Sequence, residues 1–311
     1  MEEKSIIHAS HNLVAPPMSA AVDVRDLDRS LRRPRTFLSF LMSAITTVLT
    51  LSALVPLFSV LYMLFMRGMH HFGVQLFTSL PPAPLEDGGG FGNAILGTLI
   101  MVAVGAALSV PVGIVAAVFL TEVGAETKLA SVVRFGAKVL SGFPSILAGV
   151  FAYGAVVMLT GKFSAFAGGV ALSILMLPTV ILTAEDAIRM VPNKIREAAV
   201  GMGATRAQAI WHVVLPTATP GILTGVMLAV ARAAGETAPL LFTALFSNYW
   251  PIAHGRPELM QPTASLAVLI YNFSGAPFEN QIEMAWAAAL VLVVLVLATN
   301  LIGQGLSRRT N

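Results

Sequence analysis

Arg232 and Glu236 are two opposite charges in an otherwise apolar stretch of the sequence. Their spacing of four residues places both side chains on one face of a helix. One interpretation is an ion pair that neutralises itself and holds a helical bundle together. The other is an anion-binding position in which Glu236 orients Arg232 and moderates its charge. Arginine suits that role because its planar guanidinium can donate two hydrogen bonds to an oxyanion.

Other chemistry is sparse in this sequence. Glu185 and Arg189 repeat the four-residue spacing at the end of another apolar stretch, which favours an anchor pair and leaves a second anion position as the alternative. The histidines show no metal-ligand spacing, and they are His8, His11, His70, His71, His212 and His254. No phosphate-binding Gly-rich loop precedes a Lys-Ser or Lys-Thr pair. The sequence therefore predicts no catalytic residue, no metal site and no cofactor site in this chain.

A polar segment, Glu197–Pro216, lies between two long apolar stretches. It carries the pattern EAA, three residues, Gly, nine residues, an Ile position, any residue and Leu-Pro. The residues that carry it are Glu197, Ala198, Ala199, Gly203, Val213, Leu215 and Pro216. This spacing resembles the EAA loop of ABC-importer permeases, with Val in place of Ile. Such a loop offers a surface to a soluble partner.

Local signals predict a helical hairpin in this segment. Pro192 suits the first turn of one helix, and Gly203 suits the left-handed residue that ends it. Thr205 and Gln208 have the spacing of a capping box for a second helix. Pro216 should limit that helix, and Thr219 with Pro220 then predicts the N-cap and first turn of the next membrane helix.

We expect the hairpin to dock a partner along an edge of mostly small residues. This predicted docking edge comprises Glu197, Ala198, Ala199, Gly203, Ala204, Thr205 and Arg206. The large apolar residues at helical spacing, such as Met202 and Trp211, are expected to pack within the protein instead. A DNA-binding helix-turn-helix does not fit, because only a few residues separate the hairpin from an apolar stretch on either side.

Composition makes this an integral membrane protein. The 311 residues are 56% hydrophobic and 11% charged, with mean hydropathy +0.79, whereas soluble domains carry about 25% charged residues. Six stretches reach the roughly 20 apolar residues that a membrane helix needs, at 37–66, 93–120, 139–160, 164–184, 218–246 and 284–306. The stretch 260–273 is too short and predicts an interfacial or re-entrant piece. The fold class is all-α, polytopic, with six membrane helices and a cytoplasmic EAA coupling hairpin.

Lysines and arginines predict the orientation. With both termini in the cytoplasm, only Arg67, Lys162 and Arg256 lie outside and Arg232 lies within a span, which leaves the other 15 of the 19 basic residues on the cytoplasmic side. The predicted organisation is a cytoplasmic tail at 1–36, a permease domain at 37–306 with the coupling loop at 190–217, and a short cytoplasmic tail at 307–311. No signal-peptide pattern begins the chain.

From about residue 90 onward the chain resembles the phosphate ABC-importer permeases of the PstA type. The resemblance rests on three stretches besides the EAA loop: Gly142–Ser145 (GFPS), Leu177–Pro192, and Ala231–Leu240, which is close to the RAxGETAPL of that family. The companion permease resembles the last stretch only as far as GET. The N-terminal tail is not covered.

The resemblance implies the type I ABC-importer permease fold and a set of partners in a bacterial inner membrane. These are a homologous second permease (PstC type), a cytoplasmic ATPase dimer (PstB type) that binds ATP and Mg, an external phosphate-binding protein (PstS type) and membrane lipid, without nucleic acid. We expect Arg232, Glu236 and Thr237 to line the substrate pathway, with Arg189 as a further candidate. This subunit itself would not be an enzyme.

Three other functions are alternatives. A permease for another oxyanion, such as molybdate or sulfate, would share the architecture, but RAxGETAPL disfavours it. An ion-gradient secondary transporter would be expected to show internal repeats and discontinuous helices, and no clear repeat is present. An intramembrane enzyme would need a nucleophile and base or metal ligands at depth, where the sequence offers only Arg232 and Glu236.

Overall fold

The structure of the protein, a computed structural model, describes residues 34–70, 72–86 and 88–309. The tail predicted at 1–36 lies almost wholly outside these ranges, as do His8, His11 and His71. The tail predicted at 307–311 begins inside a helix that runs to Arg309. Contacts divide the chain at Val60 into the first part of one helix and a unit from Leu61 onward, and the packing described below is within the second unit.

Most of the described residues are helical, and the strands among them form one short β-hairpin. The helices up to the coupling hairpin are α1 (Pro34–His70), α2 (Gln75–Thr78), α3 (Gly92–Val118), α4 (Lys128–Ser141), α5 (Ser145–Ala152), α6 (Met158–Thr160) and α7 (Ala165–Arg189). Those that follow are α8 (Asn193–Gly201), α9 (Arg206–Ala209), α10 (Leu215–Ala234), α11 (Ala238–Leu241), α12 (Leu266–Ser274) and α13 (Glu279–Arg309). Strands β1 (Ile252–Ala253) and β2 (Arg256–Pro257) pair antiparallel.

In the described part of the chain, three π-helical turns join some of these helices. They are Phe119–Val123 after α3, Tyr153–Val157 between α5 and α6, and Ile210–Val214 between α9 and α10. Hydroxyl side chains begin four helices by accepting a backbone N–H three residues later, which satisfies one of the donors left free at a helix start. These caps are Thr127, Ser164, Thr205 and Ser265.

Within the described residues, five helices are long and apolar enough to cross a membrane. They are formed by Thr36–His70, Gly92–Val123, Ala165–Arg189, Arg206–Ala234 and Glu279–Gly305. A sixth crossing is possible through the pair Lys128–Ser141 and Ser145–Thr160, which bends by 108°. The all-α polytopic class is confirmed. The nine-residue α12 is too short to span, as its predicted length implied.

The third span departs from the prediction of one helix at 139–160. Residues 128–141 form the separate amphipathic helix α4, and the chain turns sharply at Gly142–Pro144 before α5 begins. Pro144 has extended backbone dihedrals and so cannot continue α4. Helix α4 was not predicted because its charged residues Lys128, Arg134 and Lys138 lower its hydropathy below that of an apolar stretch.

The fifth span was also predicted with wrong bounds. The hairpin's second helix does not stop at Pro216, and Thr219 and Pro220 do not begin a new helix; the chain is helical without a break from Arg206 to Ala234. The π-helical turn directly before Leu215 changes the hydrogen-bond spacing at the place where Pro216 lacks its donor. At the other end α10 stops at Ala234, well short of the predicted residue 246.

Helices α3, α7 and α10 form the centre of the bundle. A Cβ atom at Gly113 would lie 2.6 Å from Val180 Cγ1, and one at Gly225 would collide with Thr183 Oγ1, so both pairs of helices pack with their backbones close together. The apolar residues of this centre include Met101, Leu172 and Met176, all fully buried.

The contacts also fix helix directions. Gly105 faces Leu172 and Gly113 faces Val180, so α3 and α7 run parallel. Gly221 faces Ala187 and Gly225 faces Thr183, so α10 runs antiparallel to α7. Because α3 and α7 are parallel, the segment between them must return the chain along the bundle. The bent pair therefore supplies the sixth crossing that the sequence predicted.

Candidate functional site

Arg232 lies in the last turn of α10, and Glu236 follows just after the helix ends. The Arg232 Nε atom is 3.5 Å from Glu236 Oε1, a distance at the long end for an ion pair. The Arg232 side chain is 46% exposed and that of Glu236 is 17% exposed. Within the described residues this is the one ion pair of Arg232, so most of its five N–H donors are available to a ligand. The pair can therefore bind an anion while keeping its charge partly balanced.

The predicted depth of Arg232 changes with the observed helix. A membrane helix that starts at Pro220 would place Arg232 about 18 Å along its axis, near the middle of the bilayer. The observed α10 instead begins at Leu215 and continues from the hairpin. Arg232 is 17 residues past Leu215, about 26 Å along the helix axis. It therefore lies in the half of the span that is farther from the hairpin.

The backbone leaves the helical conformation just beyond Arg232. Gly235, Glu236 and Thr237 separate α10 from the single turn α11, which has Pro239 near its start. A break of this kind inside a membrane requires either surrounding protein or a water-filled cavity, because lipid cannot satisfy the freed backbone groups. Thr237 lies in this break next to Glu236, and its half-buried side chain makes no hydrogen bond to the described residues.

The helices that follow the two breaks pack against each other: α5 follows the break at 142–144, and α11 follows the break at 235–237. A Cβ atom at Gly149 of α5 would lie 2.6 Å from Pro239 Cα and 2.9 Å from its carbonyl oxygen. Only a glycine permits this approach, because backbone atoms cannot move aside as a side chain can. The segments that follow the two helix breaks therefore meet beyond the end of α10 that carries Arg232.

Arg189 belongs to a different cluster at the hairpin end of α7. Its Nη2 atom is 2.6 Å from Glu185 Oε1, and Arg134 Nε from α4 is 2.8 Å from the same oxygen. Glu185 is 4% exposed and neutralises one of the two cations.

The antiparallel packing of α10 and α7 sets the distance between Arg189 and Arg232. Because Gly221 pairs with Ala187 and Gly225 with Thr183, continuing this alignment along α10 places Arg232 at the level of Met176. Arg189 is 13 residues away along α7, or about 20 Å. The structure does not bring Arg189 together with Arg232, and its geometry supports the anchor interpretation.

The hairpin has the predicted turn. Gly203 has φ 91°, in the left-handed region that favours glycine. Gln208 N donates to Thr205 Oγ1 at 3.3 Å, and Thr205 N donates to Gln208 Oε1 at 2.9 Å, so the capping box is confirmed. Pro192 lies one position earlier than predicted, as the N-cap of α8.

The exposed side of the hairpin differs from the predicted docking edge at one residue. Ala199 is 3% exposed and packs inside, so it cannot contact a partner. The other predicted residues are exposed, or half-exposed in the case of Ala204. We define the docking surface as these residues together with Met202: Glu197, Ala198, Met202, Gly203, Ala204, Thr205 and Arg206.

Large apolar residues on the hairpin are exposed, contrary to the prediction from their spacing. Met202 is 84% exposed and Trp211 is 61% exposed, although their spacing suggested internal packing. Helical periodicity identifies an apolar stripe but does not say what covers it. Several exposed apolar side chains close together on a polar segment indicate a surface for another protein.

A bundle of membrane-crossing helices with an exposed polar hairpin at one end and a half-exposed arginine at an interrupted helix defines a multi-pass transport permease. Residues 109–311 match the family model described as binding-protein-dependent transport system inner membrane component, and the chain belongs to this family.

Relatives with related names cover most of the chain. The phosphate transport system permease protein PstA of Xylella fastidiosa (strain 9a5c) is 41% identical over 236 residues, which are 76% of this chain and 80% of that protein. The protein of the same name from Yersinia pestis is 35% identical over 283 residues, 91% of this chain and 93% of the relative.

Solved structures show the same fold. A chain of a bacterial alginate ABC transporter, crystallised with an alginate pentasaccharide-bound periplasmic protein, aligns with a TM-score of 0.62 over 90% of this chain and 98% of its own. The two sequences are 18% identical, so the likeness concerns the fold alone.

Proposed function

We propose that this chain is the permease subunit of an ATP-driven importer of inorganic phosphate, forming half of the pathway and docking a cytoplasmic ATPase. The observation that carries the proposal is Arg232, a half-exposed cation at an interrupted helix, whose one ion pair within the described residues leaves most of its N–H donors available. The names of relatives that span most of the chain support phosphate as the anion.

The substrate pathway is assigned to Arg232, Glu236 and Thr237. Arg232 would donate hydrogen bonds to the phosphate oxygens. Glu236 would keep phosphate binding weak enough for release, because conduction requires that each site release the ion it binds. Arg189, at the hairpin end of α7, remains a predicted residue of this pathway. The chain would contribute no catalysis, and the ATPase would bind ATP and Mg.

The proposed assembly contains a homologous second permease, an ATPase dimer and an external phosphate-binding protein. The docking surface would face the ATPase in the cytoplasm, with both termini on that side of the bacterial inner membrane. The distribution of basic residues supports this orientation. The chain has no cysteine, so single cysteines at Met202 and Lys162 can be labelled from one side at a time. The proposal requires labelling of residue 202 from the cytoplasmic side and of residue 162 from the outside.

Transport itself is tested in vesicles that contain the two permeases and the ATPase, with the binding protein outside and ATP inside. We expect radiolabelled phosphate to accumulate only when ATP is present. Preferential uptake of sulfate or molybdate would favour the permease for another oxyanion. Uptake driven by an ion gradient without ATP would favour a secondary transporter and overturn the proposal.

A further inference from the structure

Arg196 links the hairpin to two membrane helices. It lies on α8, directly before the docking surface. Its Nε and Nη2 atoms donate to Glu122 Oε1 at 3.0 and 2.8 Å, and Glu122 lies in the π-helical turn that ends the span of α3. Nη2 also donates to the Ile188 carbonyl at 2.9 Å, and Nη1 donates to the Val191 carbonyl. All three guanidinium nitrogens therefore bind residues outside α8.

The carbonyls that Arg196 binds lie in the last turn of α7, at Ile188, and just beyond its end, at Val191. The last carbonyls of a helix have no partner within it and carry partial negative charge, so a cation there is favourable. The surroundings exclude much of the solvent: Ile188 and Val191 are buried, and the side chains of Arg196 and Glu122 are 21% and 13% exposed. An arginine that donates two N–H groups to one carboxylate oxygen and others to backbone carbonyls, in this half-buried position, is more than a surface ion pair.

The helices held by Arg196 connect directly to the pathway. Glu122 continues α3, and α3 packs backbone-close against α7 at Gly113 and Val180. Helix α7 packs in the same way against α10 at Thr183 and Gly225, and α10 carries Arg232. A displacement of α8 that Arg196 passes to α3 and α7 would therefore reach Arg232 through contacts too tight to absorb it.

We propose that Arg196 is a positioning residue that transmits movement of the docking surface to the pathway helices, without itself contacting ATPase or substrate. This inference rests on the proposed function, because it requires an ATPase that moves the hairpin. The neighbouring charged residue, Glu197, has a different role, because it is exposed and belongs to the docking surface.

The test compares Arg196→Gln with wild type in the reconstituted vesicles. ATPase co-purification and basal ATP hydrolysis should stay unchanged, whereas phosphate accumulated per ATP hydrolysed should fall by about two- to thirtyfold, the range for mutations along a coupling route. Arg196→Lys should recover part of the ratio, because it keeps the charge but not the forked geometry. Lys194→Gln removes the same charge from an exposed position on the same helix and should behave as wild type.

Each result separates this inference from the proposed function. Wild-type vesicles that accumulate no phosphate would overturn the proposed function. Wild-type uptake together with an unchanged phosphate-to-ATP ratio in Arg196→Gln would overturn the inference alone. If Arg196→Gln does not assemble with the ATPase, Glu122→Gln decides, because it leaves the bonds from Arg196 to the α7 carbonyls in place. A lowered ratio in Glu122→Gln supports transmission through Arg196, and a wild-type ratio overturns it.

Discussion

The Arg232 guanidinium and the Glu236 carboxylate lie 3.5 Å apart across the end of α10, close enough to feel each other's charge and too far for a tight hydrogen bond. The helix ends between them, at Ala234, so Glu236 lies outside the continuous helix, and its backbone N–H donates to the Ala233 carbonyl. This arrangement lets a ligand compete for the arginine at low cost.

Arg232→Gln should abolish or strongly reduce phosphate uptake while assembly with the ATPase persists. A hydrogen bond to a charged group contributes about 1.5–3 kcal/mol, which corresponds to about ten- to a hundredfold in substrate interaction. Uptake and co-purification measure the two effects separately. Arg256→Gln, the same change on an exposed strand residue, is the control. Wild-type uptake by Arg232→Gln would show that the pair only holds the bundle together.

Gly203→Val should weaken ATPase docking because it strains the backbone of the turn, and not because the added side chain meets other atoms. Nothing lies within 4 Å of a Cβ atom at Gly203, but its φ of 91° strains any β-branched residue. Strain of this kind costs about 1–3 kcal/mol, and the turn can relieve it only by moving the docking surface. We expect less ATPase to co-purify with the variant.

Gly201→Ala is the matched control for this change. Gly201 also has nothing within 4 Å, but it lies inside α8 with helical dihedrals that alanine adopts readily. This variant should retain the ATPase and gain slightly in helix stability. Equal losses in both variants would mean that side-chain bulk on the hairpin, rather than the turn geometry, disrupts docking.

Glu197→Lys should lower ATPase affinity or the coupling of hydrolysis to transport. The residue is exposed and reversal of its charge leaves the interior of the hairpin intact. Glu126→Lys reverses a charge in the exposed turn before α4, on the same side of the protein, and should have little effect. Substrate-dependent ATP hydrolysis is the measurement. A normal response in Glu197→Lys would remove this residue from the docking surface.

Gly149→Val should disturb the contact between α5 and α11, the helices that follow the two breaks. The added side chain would meet the Pro239 backbone, and overpacking of this kind costs about 1–3 kcal/mol. The thermal unfolding temperature of the purified complex and phosphate uptake should both fall. Gly154→Val, in the π-helical turn that follows α5, has nothing within 4 Å and serves as the control. An unchanged unfolding temperature in Gly149→Val would mean that α5 and α11 do not stay packed.

Local patterns in the sequence predicted a good part of this architecture. The capping box at Thr205, the left-handed Gly203 and the shared face of Arg232 and Glu236 all depend on residues within a few positions of one another, and all three are present. Most membrane helices were found because hydropathy over about 20 residues is also a local property.

What the sequence did not predict depends on residues far apart in the chain. Glu122 and Arg196 are 74 positions apart, and no local pattern pairs them. The exposure of Met202 could not be read from helical spacing, which is the same for a buried stripe and for a partner surface. The continuous helix through Pro216 depends on a π-helical turn, which has no simple sequence signal.

Arg189→Gln separates the two interpretations of that residue. If Arg189 is an anchor, its loss should reduce the stability of the complex only modestly, because its side chain is 54% exposed and Arg134 still neutralises Glu185. The concentration of phosphate that gives half-maximal uptake should then match wild type. Arg134→Gln, which removes the less exposed partner of Glu185, should destabilise the complex more. A several-fold rise in the half-maximal phosphate concentration for Arg189→Gln, with an unchanged unfolding temperature, would instead place this arginine in the pathway at the hairpin end.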